Sequence, residues 1–203
     1  IIFFMIVWLA SYPKSGNTWV RAFISAYYYS EDGEFDFSLL SNIKQFPDEE
    51  FFNKKINNID EASYEWLNAQ KKIIQNKKIK FLKTHNCLGK YNNRPFTTAE
   101  TTLGGIYVVR DPRNIFSSIK NHFSMNDEDA LKMMTDQKRG LISNEGIFST
   151  YAFISSWSNH YLSWIKNNQF RRLIIKYEDL LTNEYETFRD IVVFTNTLLN
   201  RTD

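Results

Sequence analysis

Ile6-Val7-Trp8-Leu9-Ala10-Ser11-Tyr12-Pro13-Lys14-Ser15-Gly16-Asn17-Thr18-Trp19-Val20 passes from five apolar residues, through a polar turn, into a helical pattern. A short apolar run of this kind is a buried strand, and Val20, Phe23, Ile24 and Tyr27 then fall at i, i+3, i+4 and i+7 of a helix with Asn17 or Thr18 as N-cap. The first strand-to-helix turn is where α/β folds bind phosphates. Gly16 lets the backbone approach a ligand, the free N–H groups of the helix start favour an anion, and Lys14 adds a full charge. Ser15, Asn17 and Thr18 add donors, and Trp19 offers a flat face to a purine. The loop is not of the Walker type, because Pro13 precedes Lys14 and Trp8 stands where the upstream glycine belongs. The plainer alternative is a polar turn before a capped helix.

Three more buried strands are expected at Ile79–Lys83, Ile106–Arg110 and Leu173–Tyr177. Between them Asp60 can cap a helix carrying Tyr64 and Leu67, and Pro112 suits the first position of a helix carrying Ile115, Ile119 and Phe123. Phe148, Tyr151, Ile154, Tyr161 and Ile165 make a stripe along one long helix, whose Trp157 and Trp164 read as core. Phe188, Ile191, Val192, Thr195 and Leu199 mark a last helix capped by Thr182 or Asn183. The polar stretch 124–147, with Met133 and Met134, reads as a lid. Strands alternating with helices imply an α/β fold, a three-layer αβα sandwich around a central parallel sheet.

A chain of 203 residues suits one domain, 1–203, and 43% apolar against 24% charged residues argues against disorder. The formal charge of +2 gives no support to a nucleic-acid partner, so any anion site must be local. The single cysteine, Cys87, excludes an internal disulfide, reads as a small buried hydrophobe, and points to a reducing, cytoplasmic setting. The apolar start, 1–10, is too short to span a membrane and lacks the flanks of a signal peptide; Met5 could be the natural start. Asn200-Arg201-Thr202 fits a glycosylation sequon and carries little weight.

Further chemistry sits at the strand ends. Lys83 and His85, two apart in extended chain, point the same way and can reach one centre, although a lone histidine is as readily structural. Arg110 ends a strand and Ser118 follows eight residues later in a helix; an arginine fork suits a terminal phosphate, while a surface ion pair is the usual alternative. Ile174-Ile175-Lys176-Tyr177-Glu178-Asp179-Leu180 reads equally as a strand followed by an acidic helix start.

Tyr12–Trp19 resembles the 5′-phosphosulfate loop, Y-P-K-S-G-T-T-W, of sulfotransferases that use 3′-phosphoadenylyl sulfate (PAPS), with Asn17 in place of a common Thr. Lys83-Thr84-His85 resembles the family's K-T-H, in which the histidine is the general base; Asn86-Cys87-Leu88 then departs from the usual Leu-Pro. Ile106–Ser118 resembles the 3′-phosphate motif, and Arg110 and Ser118 match its binding positions. Tyr177-Glu178-Asp179 resembles a Y-E-D strand end, which places Tyr177 near the adenine. The resemblance implies a P-loop-like nucleotide-binding fold and spans Ile6 to about Leu180. The family's basic R-K-G-x-x-G segment is not matched before Asp203, which implies a truncated domain or a nucleotide held differently.

What the resemblance implies is transfer of a sulfuryl group to a hydroxyl or amine on a small-molecule or glycan acceptor. His85 would be the base, Lys14 and Lys83 would stabilise developing charge, and Lys14, Ser15, Gly16, Asn17, Thr18, Trp19, Arg110, Ser118 and Tyr177 would bind the donor. No carboxylate cluster asks for a metal. Two rivals are an ATP-dependent phosphotransferase with a modified loop and a nucleotide-binding module without turnover.

Overall fold

The computed structural model describes residues 5–75, 79–143 and 149–201. In chain order the elements are β1 (Ile6–Ser11), α1 (Asn17–Tyr29), α2 (Ile59–Gln75), β2 (Lys80–Thr84), β3 (Lys90–Tyr91), β4 (Arg94–Pro95), β5 (Thr102–Val109), α3 (Pro112–Phe123) and α4 (Asp127–Thr135). There follow β6 (Gly140–Ser143), β7 (Thr150–Phe153), α5 (Trp157–Ile165), β8 (Arg171–Lys176), α6 (Tyr177–Thr182) and α7 (Glu184–Leu199). Short 3₁₀ turns at Phe37–Asn42 and Glu49–Phe51 join α1 to α2.

Four strands form one parallel sheet in the order β2-β1-β5-β8, the expected α/β sandwich. All six residues of β1 are buried, because helices cover both of its faces. Ile6, Trp8 and Ala10 pack with Trp66 of α2 and Trp164 of α5. Val7 and Leu9 pack the other way, with Val20 and Ile24 of α1 and Ile191 and Leu198 of α7. The register pairs Ala10 with Thr84, Ser11 with Val108 and Val109 with Lys176. All four strands therefore end along one edge, and the residues that follow them meet there.

The expected strands hold with boundaries shifted by a few residues. One expected element does not hold. The stripe from Phe148 to Ile165 is not a single helix: Phe148 lies outside the described residues, Thr150–Phe153 is a strand paired antiparallel with β6, and the helix begins only at Trp157. The break lies at Ser155, with φ +57°, and at Ser156, whose side chain caps α5 by accepting from the Asn159 N–H.

Three smaller readings change as well. Asn58, not Asp60, accepts from the Glu61 N–H at the start of α2, while Asp60 pairs with Arg94. Ala62, Trp66 and Ala69 make the buried face of α2, whereas Tyr64 is exposed beneath the Arg94 guanidinium. The described part of the supposed lid is packed structure: Met133 and Met134 of α4 are buried against Tyr12, Ile115 and Ile119, and β6 pairs with β7. Residues 144–147 lie outside the described residues.

Candidate active site

The loop after β1 is built from two left-handed residues, Lys14 at φ +66° and Gly16 at φ +92°. Gly16 is itself the N-cap of α1, and neither Asn17 nor Thr18 caps the helix as expected. Asn17 is drawn inward instead: its Nδ2 donates to the Leu9 carbonyl at 3.1 Å and to Ser11 Oγ at 3.2 Å. That stitch ties the loop to the strand and leaves Thr18 exposed at the helix start. The Ser15 Oγ is buried and has no partner, an orphan that a bound oxyanion would satisfy.

His85 follows β2 on the same edge. Its Nδ1 lies 2.8 Å from the Ser11 carbonyl oxygen, an atom that can only accept, so Nδ1 carries the proton and Nε2 keeps a free lone pair. Burial, then the charge of Lys83, hold its pKa well below 6.5, so the ring is neutral near pH 7. The residues after it are held by one face of α5. His160 Nε2 donates to the His85 carbonyl at 3.2 Å, Ser163 Oγ accepts from the Leu88 N–H at 2.9 Å, and Trp164 Nε1 donates to the Asn86 carbonyl at 3.0 Å. His160 is buried and neutral, its pKa pushed down to about 3 by burial, and its Nδ1 accepts from the Tyr107 hydroxyl at 2.9 Å. Sequence reasoning gave no role to His160; its i, i+3, i+4 spacing with Ser163 and Trp164 was the available signal. Cys87 is buried, as expected, and burial raises its pKa to about 11.

Arg110 leaves β5 and bends back to the loop, where Nη1 donates to the Lys14 carbonyl at 2.9 Å. Its guanidinium sits 4.3 Å from the centre of the Tyr177 ring, and its Nε is buried without a partner. Tyr177 in turn lies against Gly16. Trp19 stands behind Tyr177, edge-on at 6.3 Å, and packs also on Phe188. Arg113 is exposed and turned onto Asp111.

These groups meet in a cavity of about 850 Å³. Lys14, Gly16, Asn17, Thr18, Lys83, His85, Arg110, Ser118 and Tyr177 line it; Ser15 and Trp19 of the expected set do not. Pro13 and, from other segments, Gln45, Asp48, His122, Phe123, Leu141, Ile142, Ser143 and Thr150 complete the wall, and none of these was given a site role from the sequence, because only the folded topology gathers the separate segments. Among the described residues no group of three or more His, Cys, Asp or Glu is placed to hold a metal ion, and no helix is long and apolar enough to cross a membrane.

Similar structures include mouse sulfotransferase SULT7A1 complexed with PAP, 19% identical with a TM-score of 0.57, over 98% of this chain and 59% of that one. Retinol dehydratase in a complex with retinol and PAP is 17% identical with a TM-score of 0.53, over 100% of this chain and 62% of that one. The chain thus spans about three-fifths of the length of these neighbours, and at such identities they speak for the fold. No curated protein matches its sequence. The family model described as "Sulfotransferase domain" matches residues 6–202, nearly the whole chain, and the chain belongs to that family.

Proposed function

We propose that this chain is one sulfotransferase domain that transfers a sulfuryl group from PAPS to a hydroxyl or amine of a small-molecule or glycan acceptor. The observation that carries the reading is the state of His85: neutral, with Nδ1 committed to the Ser11 carbonyl and Nε2 available, in one cavity with Lys14 and Arg110. The residues fit a nucleotide bearing a phosphate at each end. Among the described residues Ser15 Oγ and Arg110 Nε are buried donors without partners, and with Gly16 as N-cap the α1 start carries no side-chain cap. Both of these structural neighbours carry PAP, adenosine 3′,5′-bisphosphate, the desulfated form of PAPS.

In this reading Lys14, Ser15, Gly16, Asn17, Thr18 and the α1 N-terminus hold the 5′ end, Arg110 and Ser118 the 3′-phosphate, and Tyr177, backed by Trp19, the adenine side. The donor supplies an electrophilic sulfur on a phosphate leaving group. His85 Nε2 accepts the acceptor's proton as the acceptor atom bonds to sulfur, and Lys14 and Lys83 balance the negative charge released to the donor side. Holding both reactants in line removes an entropic barrier of about 7 kcal/mol or more. Lysine here serves the part a divalent cation serves in phosphoryl transfer, so chelation should leave the rate unchanged. A cytoplasmic, reducing setting agrees with the lone buried thiol of Cys87.

The test is label transfer from sulfur-labelled PAPS to an acceptor panel, run beside calorimetric titration with PAP and ATP. His85→Asn should lower turnover by about 10²–10⁴-fold and keep PAP affinity. PAP binding without transfer to any acceptor would mark a binding module, preference for ATP with magnesium a phosphotransferase, and absence of PAP binding would end the reading.

A further inference from the structure

The cavity is cationic with one exception. Lys14, Lys83 and Arg110 line it, and Asp48 is the sole carboxylate among the described residues that do so. Asp48 is held in place by backbone on both sides. Phe46 N donates to the Lys83 carbonyl at 2.8 Å, which straps the segment to the end of β2, and Gln45 bridges Lys83 in parallel. On the other side Tyr151 N donates to the Pro47 carbonyl at 3.1 Å, Glu49 N donates to the Ser149 carbonyl at 2.8 Å, and Asp48 bridges Thr150 of β7. The carboxylate is thereby presented on a rigid rung between two strands rather than on a free loop.

Among the described residues only one of its oxygens has a hydrogen-bond partner. Oδ1 accepts from the Glu50 N–H at 2.9 Å and caps the following turn. No ion pair of Asp48 occurs among the described residues, and the nearby Lys44 is engaged by Glu50 at 2.6 Å. Partial burial pushes the carboxyl's pKa up, with the like charges of Glu50 and Glu49 acting in the same direction against the Glu50 N–H and Lys44. A half-buried carboxylate whose nearby lysine, Lys44, is already engaged by Glu50 is poorly compensated, and a polyanionic donor in the same cavity makes it more so. An acceptor cation removes the conflict, and the walls supplied by Phe123, Leu141 and Ile142 suit an apolar body.

We propose that Asp48 selects acceptors that bear an ammonium group on an apolar body, apart from the hydroxyl that receives the sulfuryl group. The inference rests on the transfer reading above. It makes Asp48 a specificity-determining residue that pairs with the acceptor rather than with the nucleotide.

The test uses size-matched acceptors on two bodies: 4-propylphenol, tyramine and 3-(4-hydroxyphenyl)propionate, and heptan-1-ol beside 6-aminohexanol. Binding is measured by calorimetry with PAP bound, and kcat/KM with PAPS. On at least one body the ammonium member should exceed its neutral partner about tenfold or more in both readouts, with the carboxylate member weakest. In Asp48→Asn that ratio should fall to about one; the amide oxygen still accepts from Glu50, and retained PAP binding reports a folded variant. Equal treatment of charged and neutral members by the wild type, preference for the carboxylate, a preference that survives Asp48→Asn, or no binding of any member to the PAP complex would each overturn the inference. Failure to bind PAP or to use PAPS would instead strike at the transfer reading. Transfer to neutral acceptors without cation preference strikes at the role of Asp48 alone.

Discussion

Gly16→Ala concentrates several consequences of the fold in one methyl group. At φ +92° an alanine sits in left-handed backbone, which costs about 1–2 kcal/mol, and reduced freedom of the unfolded chain returns about 0.4–1 kcal/mol. The new Cβ would overlap Tyr177 Cδ2 and lie 2.7 Å from Cε2, so the ring must move. That ring carries the Arg110 guanidinium at 4.3 Å, a contact of about 0.5–1 kcal/mol, and Arg110 also holds the Lys14 carbonyl. The sum is a loss of about 0.5–2.5 kcal/mol, or an unfolding midpoint about 1–10 °C lower for a chain of this length. PAP affinity should fall about tenfold or more, because Tyr177 and Arg110 are displaced together. Gly33→Ala is the matched control: Gly33 has φ +80° but nothing within 4 Å of an added Cβ, so it bears the backbone cost alone and should leave the PAP response intact. Thermal unfolding of both variants, with and without PAP, makes the comparison. If Gly16→Ala behaves like Gly33→Ala, Tyr177 does not close on the loop and the reasoning fails.

Two further outcomes follow from the buried histidines. His85 and His160 stay neutral in the fold while the unfolded chain protonates near pH 6.5, so stability is intact above about pH 6.5 and falls as the pH drops below it, for His160 until about 3, by up to about 1.4 kcal/mol per pH unit for each histidine. Urea unfolding at pH 7 and pH 5 reads this directly, and a flat profile over that interval contradicts it. His160→Phe keeps an aromatic ring but leaves the His85 carbonyl and the Tyr107 hydroxyl unpaired; it should cost about 2–4 kcal/mol in stability and lower kcat more than it raises KM, with part of kcat restored in His160→Gln.

The parts legible in the sequence are those whose physics is local. β1 is buried on both faces and so reads as an unbroken apolar run, and the loop motif that follows it lies within nine residues. Arg110 and Ser118 are brought to one cavity by a strand end and the helix beginning at Pro112, both readable from spacing. The stripe from Phe148 to Ile165 misled because apolar residues three or four apart occur also where a strand and a helix meet; Ser155 and Ser156 held the evidence of the break. The cap of α1 was misassigned for a related reason. Asn17 is a strong cap by type, but its amide is turned inward to the Leu9 carbonyl and Ser11, and Gly16, left-handed at φ +92°, takes the cap position. The Asp48 wall was illegible because Gln45 meets Lys83, and Asp48 meets Thr150, only through tertiary backbone pairing.

The direction of His85 is set by contacts that no single element could supply. The Ser11 carbonyl, at the end of β1, fixes which ring nitrogen bears the proton, while α5 holds the backbone on which the ring stands through His160, Ser163 and Trp164. Lys14 is placed by a comparable division: its left-handed φ of +66° is unfavourable for a lysine by about 1–2 kcal/mol, and Arg110 from β5 and Asn17 from α1 hold the loop in that shape. A glycine would take the same backbone more easily, so folding gives no reason for a lysine at that position, whereas the proposed donor contact does. The sheet makes this arrangement affordable, because its four parallel strands end along one edge and bring the strained loop and its supports together before any ligand arrives.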